Sequence, residues 1–367
     1  MLHKIIKKRS CCHLSISVYS VQRNIIPLNG ILLGGTPLAQ SEDIAKVLQT
    51  PLRLNAKAGD KIYIITDTAM EEVVWKGLFQ AALDLNMEPV VAMMPPRAVH
   101  SEDPVPSILA GAFDPGNELV IYLTSTALAH APFNDKMQET GRRFILMEEL
   151  TSAMLDPDGP AGADYHEMDK LGKKVAKFFS EGSTVTVTCP NGTNLTAKID
   201  GRPGRSISGL PIVMHPSGGG GCAFPDGEAH VCPLEGTGNG TVVFDLTAHT
   251  VGAIKEPIRL TIKDGYVTAI EGGEEAAIWR DLLDKYGDPE SYNCPAEISI
   301  GLNEKVKPMG SMRTDKKMYG TSHIGLGDTL ALGGTCDANM RIEGVISQPC
   351  ISVDGVEITR GGKILIG

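Results

Sequence analysis

Ser41–Pro96 reads SEDIAKVLQTPLRLNAKAGDKIYIITDTAMEEVVWKGLFQAALDLNMEPVVAMMPP. Its periodicity switches three times. SEDIAKVLQTPLRL has the capping serine and the three-to-four-residue apolar spacing of an amphipathic helix, whereas KIYIITDT is a short apolar run rich in β-branched residues. MEEVVWKGLFQAALDLN is helical again, and MEPVVAMMPP is a further strand. Strand, helix, strand with a crossover of this length predicts a parallel βαβ unit and a doubly wound sheet.

The alternation continues outward. NELVIYLTST, beginning at Asn117, supplies a third strand, RRFILME a fourth, and Tyr165–Phe179 a helix. No GxGxxG or P-loop pattern occurs in this half, so no nucleotide is assigned to it. His130, in LTSTALAHAPF, follows the carboxyl end of the third strand, the edge where open α/β sheets place ligands; it is a candidate acid or base. A solvated loop histidine is the alternative. Asp67 and Thr68 end the first strand in the same way, as cleft residues or as a helix cap.

Near residue 181 the texture changes. STVTVTCPNGTNLTAKIDGR reads as two alternating strands about a Pro190-Asn191-Gly192 turn, and IRLTIKDGYVTAIEGG as a hairpin with an Asp-Gly turn. WRDLLDKYG is a short helix, and the four glycines at 218–221 permit a close backbone approach. The expected organisation is a basic leader over 1–29, an α/β domain over 30–180 and a mostly antiparallel α+β domain over 181–367. The leader carries Lys4, Lys7, Lys8, Arg9 and Arg23 with no acidic residue, which fits a transit peptide, a disordered leader or an upstream start codon.

A formal charge of -10 disfavours a nucleic-acid partner, and no stretch approaches a membrane span. Eight cysteines without CxxC or zinc-finger spacing point to a reducing, cytoplasmic setting. Cys222 and Cys232 are read as buried structural thiols, with metal ligation as the alternative.

The chemistry gathers in the second half. Glu228 and His230, two apart in PDGEAHV, face one way on a strand and can bind one cation. Glu297, in AEISIGL, is a carboxylate on a strand facing inward, where it must be paired, protonated or metal-bound. His323 stands in GTSHIGLGD, read as lying between a helical DKKMYG run and a glycine-rich turn, and His215 and Glu235 are nearby candidates. Arg341 and Glu343 in MRIEGVI share a strand face and can neutralise each other.

FPDGEAHVCPLEGTGNGTVVFD, AEISIGLNEK and DKKMYGTSHIGLGD, in that order, resemble the superfamily joining thermophilic-type leucyl aminopeptidases with 2,5-dihydroxypyridine 5,6-dioxygenases. The resemblance runs from about residue 42 to the end and, through chain length and GLGDTLALGG, lies nearer the dioxygenase branch. It implies that Glu228, Glu297 and His323 match metal ligands. The family's His-x-Asp ligand pair aligns with Arg341-Ile342-Glu343: Glu343 remains a possible ligand, but an arginine cannot bind a cation. The peptidases' tyrosine after the site histidine is replaced by Asp328.

The resulting expectation is a metal-dependent enzyme, with Fe(II) favoured over Zn, Mn or Co, cleaving the ring of a small hydroxylated N-heteroaromatic. Glu228, Glu297, His323 and Glu343 would surround the ion, Arg341 would bind substrate, and His130 would move protons. A metallo-aminopeptidase and a metal-free ligand-binding descendant are the rivals. A homodimer is implied by resemblance alone.

Overall fold

The computed structural model describes residues 41–366, apart from 99, 101, 130 and 213–219. The basic leader, His130 and His215 therefore lie outside the described residues.

Helix α1 (Ser41–Asn55), strand β1 (Lys61–Asp67), helix α2 (Glu72–Asp84) and strand β2 (Glu88–Met94) occupy the opening stretch as its periodicity predicts. Next come α3 (Pro106–Ala112), β3 (Leu119–Leu123), α4 (Pro132–Glu139), β4 (Arg143–Leu146) and α5 (Tyr165–Glu181). β1 pairs in parallel with both β2 and β3, and β3 with β4. Alternate residues serve opposite faces: Ile62, Ile64 and Ile121 pack with Ile44, Leu48 and Leu78 of α1 and α2. Tyr63, Ile65, Val120 and Tyr122 pack with Ile108 of α3 and Phe133 of α4. A sheet covered on both sides explains why these strands read as unbroken apolar runs.

The remaining strands begin with the hairpin β5 (Thr184–Thr188) and β6 (Asn194–Lys198), then β7 (Arg205–Ile207), β8 (Gly220–Ala223) and β9 (Glu228–Val231). β8 is the fifth strand of the parallel sheet, whose order is β2-β1-β3-β4-β8. Gly220 and Gly221 thus return the chain to the first sheet, an excursion that residues without side chains do not signal by periodicity. A Cβ on Gly221 would stand 1.9 Å from the Phe144 carbonyl oxygen, so the close approach is real and requires glycine.

Beyond β9 lie β10 (Asn239–Phe244), β11 (Thr247–Ala248), β12 (Gly252–Ala253), β13 (Ile258–Lys263), β14 (Tyr266–Glu271) and α6 (Glu274–Tyr286). The chain ends with β15 (Glu297–Gly301), α7 (Met312–Asp315), β16 (Ser322–Gly327), β17 (Arg341–Ile346), β18 (Cys350–Val353), β19 (Val356–Arg360) and β20 (Lys363–Ile364). They form two further sheets, β14-β13-β10-β6-β5-β18-β19-β20 and β12-β11-β17-β16-β15-β9-β7. The fold is therefore a doubly wound parallel-sheet α/β region followed by a mostly antiparallel α+β region. Trp279 of α6, fully buried, stacks edge-on against Phe244 at 5.4 Å. Arg313 of α7 ties the antiparallel region to the parallel sheet by donating to the carbonyls of Leu146 and Phe224.

Candidate metal and substrate site

Pairing register decides what shares a face. On β9 and β15, Glu228 lies opposite Gly301 and His230 opposite Ser299. On β15 and β16, Glu297 lies opposite Gly325; on β16 and β17, Gly325 lies opposite Glu343 and Gly327 opposite Arg341. Directly opposed residues project to the same side, and so do residues two apart. Glu228, His230, Glu297, Ser299, His323, Arg341 and Glu343 therefore converge on one face across four adjacent strands. Glycines at 301, 325 and 327 leave the room. Gly327 is also fixed by its backbone, with φ of +94° and a would-be Cβ 1.9 Å from the Met340 carbonyl oxygen.

Every carboxylate and imidazole in this set is buried, and His323 is fully so. Two groups of donors each lie within 4.8 Å of one another: Glu228, His230 and Glu297, and Glu297, His323 and Glu343. His230 Nδ1 faces Glu297 Oε1 at 3.4 Å and Glu228 Oε1 at 3.7 Å. His323 Nε2 faces Glu297 Oε2 at 3.5 Å and Glu228 Oε2 at 3.8 Å, while its Nδ1 is hydrogen-bonded to Ser299 Oγ at 2.5 Å.

Cations complete the cluster. Lys317 pairs with Glu228 Oε2 at 2.6 Å and Asp226 Oδ1 at 2.8 Å, and Lys316 donates to Glu343 Oε2 at 2.8 Å. Arg341 donates through Nε to Glu343 Oε1 at 3.0 Å and through Nη2 to Glu297 Oε2, leaving Nη1 buried without a hydrogen-bond partner. The mutual neutralisation of Arg341 and Glu343 is thus present, with Glu297 added.

These charges set the protonation states. Burial opposes ionisation of Glu228 and Glu343, yet Lys317 beside the first, and Lys316 and Arg341 beside the second, hold both carboxyls well below the usual range. Asp226 goes the other way: burial raises its pKa despite Lys317. Burial lowers His230 and brings His323 and His249 down to about 4. Neutral imidazoles offer the lone pair that a cation needs.

The donor set fits a divalent cation. Tetrahedral bonds of about 2.1 Å would place neighbouring ligands about 3.4 Å apart, the spacing seen around His230 Nδ1. Both ring nitrogens of His230 and Nε2 of His323 are buried without a hydrogen bond. A mixed carboxylate and imidazole set suits Fe(II), Mn or Zn.

Other sequence candidates stand apart from both donor groups. Glu235 pairs with Arg202 and accepts from Thr329 Oγ1 and Thr335 N. Asp67 accepts from Ser125 N and Oγ at 2.7 and 2.9 Å and from Ala69 N, so it organises the loop after β3 rather than capping α2. Cys222 donates to Asn55, and Cys232 is buried beside Arg202; both are structural. His323 lies within β16 (Ser322–Gly327), and of the DKKMYG run read as helical only Asp315 belongs to a helix, the single turn of α7. Sequence reasoning missed Lys316, Lys317, Asp226, Ser299 and His249, whose Nδ1 accepts from Glu343 N at 3.0 Å. The lysine pair seven and six residues before His323 was a visible signal.

The family model for NicX, 2,5-dihydroxypyridine 5,6-dioxygenase, matches residues 43–364. The chain belongs to that family. A curated 2,5-dihydroxypyridine 5,6-dioxygenase from Pseudomonas putida KT2440 is 27% identical over 189 residues, 49% of this chain and 49% of that protein. The alignment spans about half the length of that curated relative. The solved 2,5-dihydroxypyridine dioxygenase from the same organism superposes with a TM-score of 0.74 at 18% identity, covering 90% of this chain and 99% of that one. Wild-type AmpT from Thermus thermophilus, an aminopeptidase, gives 0.64 at 14% identity over 89% and 100%. At these identities the superpositions establish the fold. Within that family, this chain carries a buried face of carboxylates, imidazoles and cations on β9, β15, β16 and β17.

Proposed function

We propose that this chain is a metal-dependent, ring-cleaving dioxygenase acting on a small hydroxylated N-heteroaromatic of the 2,5-dihydroxypyridine type. The observation that carries this reading is the buried convergence of Glu228, His230, Glu297, His323 and Glu343, with unpartnered imidazole nitrogens, in a chain of the dioxygenase family. Three donors drawn from this set would hold the ion; Fe(II) is favoured because it would supply the electron-transfer chemistry that lets dioxygen react with a closed-shell aromatic ring.

The protein's own groups define the rest. Arg341 is fixed by Glu297 and Glu343, and its free Nη1 donates to an anionic oxygen of the substrate. Ser299 fixes the His323 ring so that Nε2 faces the carboxylates. His130, after β3, is assigned as acid or base from its sequence position. The protein works on a small molecule and, by family resemblance, as a homodimer.

The test is a panel of hydroxylated pyridines supplied to Fe(II)-loaded protein, beside aminoacyl-arylamides with Zn(II) or Mn(II). Loss of the pyridine ring absorbance with no arylamide hydrolysis is expected. Arylamide hydrolysis alone would select the aminopeptidase activity of the wider superfamily and overturn the proposal.

A further inference from the structure

The two donor groups share Glu297, but their oxygens are not equally free. In the group of Glu297, His323 and Glu343, Arg341 holds Glu297 Oε2 and Glu343 Oε1, and Lys316 holds Glu343 Oε2. Both Glu343 oxygens, and the Glu297 oxygen that faces His323, already carry a cationic partner.

The other group is arranged differently. Lys317 holds Glu228 Oε2 and Arg341 holds Glu297 Oε2, so one oxygen of each carboxylate is anchored. The second oxygens, Glu228 Oε1 and Glu297 Oε1, both turn toward His230 Nδ1, at 3.7 and 3.4 Å. His230 is 2% exposed and neither ring nitrogen makes a hydrogen bond. Buried polar atoms left this way are costly unless a ligand occupies the space between them.

We propose that the chain binds one divalent cation through Glu228 Oε1, His230 Nδ1 and Glu297 Oε1, and that Arg341 and Lys316 fill the neighbouring Glu297–His323–Glu343 position with fixed positive charge. This narrows the metal-dependent reading above and rests on it. Glu343 is then a counter-ion for Arg341 and Lys316 rather than a ligand, and His230 becomes the imidazole that the metal requires. The anchoring cations orient each carboxylate, so the three donor atoms are set before the ion arrives.

The test strips the full-length protein of metal and titrates it anaerobically with Co(II), following visible absorption, equilibrium dialysis and the melting temperature. One Co(II) per chain is expected, with a raised melting temperature. His230→Ala and His230→Gln should each weaken Co(II) at least tenfold and abolish the melting shift, while their metal-free far-UV circular dichroism matches the parent. Glu343→Gln should keep one site within threefold of the parent affinity. Arg341→Ala should admit a second Co(II).

Unchanged binding in both His230 variants, loss of the site in Glu343→Gln, two ions in the parent or only one in Arg341→Ala would overturn the assignment. The functional reading fails separately, if protein carrying one Fe(II) with the predicted variant pattern cleaves no hydroxypyridine. No binding to the parent at all would overturn both.

Discussion

Arg341 reaches Glu297 two strands away, passing over the glycine-bearing strand β16. Gly325 and Gly327 stand where side chains would otherwise block that path, so a guanidinium crosses the site floor and joins Glu343 to Glu297. Removing it leaves Glu297 without its cation and Glu343 with Lys316 alone. Arg341→Ala in metal-free protein should therefore lose about 3 kcal/mol by urea unfolding, as broken buried ion pairs do. A loss below roughly 0.5 kcal/mol, the scale of exposed pairs, would show that the contact carries no weight.

Lys317 is 4% exposed and pairs with both Asp226 and Glu228. Lys317→Met should cost about 3–5 kcal/mol because two carboxylates lose their buried partner. Lys170→Met, breaking an exposed pair with Glu167, should leave the denaturant midpoint unchanged. Equal effects in denaturant titrations would refute the distinction.

Ser299 bonds His323 Nδ1 and also donates to the His323 carbonyl. Ser299→Ala should leave the fold intact and lower turnover, because the His323 ring loses the bond that keeps Nε2 turned toward Glu228 and Glu297. Unaltered turnover would mean that the ring is held by packing alone.

Glu148 follows β4, and burial raises its pKa from 4.5 to about 7, with Arg313 only partly opposing the shift. The folded state then binds more protons than the unfolded state between these values, so this group's contribution to stability falls as pH rises through that window. Glu148→Gln should remove that decline, worth on the order of 2–3 kcal/mol between pH 4.5 and 8. Parallel stability-against-pH curves for parent and variant would contradict it.

Much of this was legible in the sequence where periodicity carries information. The run from Ser41 to Met94 announced its helices by a repeating apolar face and its strands by short apolar runs, and the Asp264-Gly265 turn of β13–β14 appears with φ of +50° and +79°. The site strands were legible through strand parity: Glu228 with His230, and Arg341 with Glu343, are two apart. The glycine strand β8 was not, because nothing in GGCA marks which sheet it joins. The Lys316–Glu343 and Lys317–Glu228 pairings were not either, since they depend on how the chain after α7 folds back over β9 and β17. His249 reaches the site only through the pairing of β11 with β17.

The most direct measurement is oxygen uptake by protein reconstituted anaerobically with Fe(II) and supplied with 2,5-dihydroxypyridine, with substrate loss recorded in the same vessel. Ring cleavage by a dioxygenase predicts one dioxygen consumed per substrate lost, and no uptake by the Glu297→Gln variant. Folded, iron-loaded protein that consumes no oxygen with this substrate or its hydroxylated analogues would contradict the account.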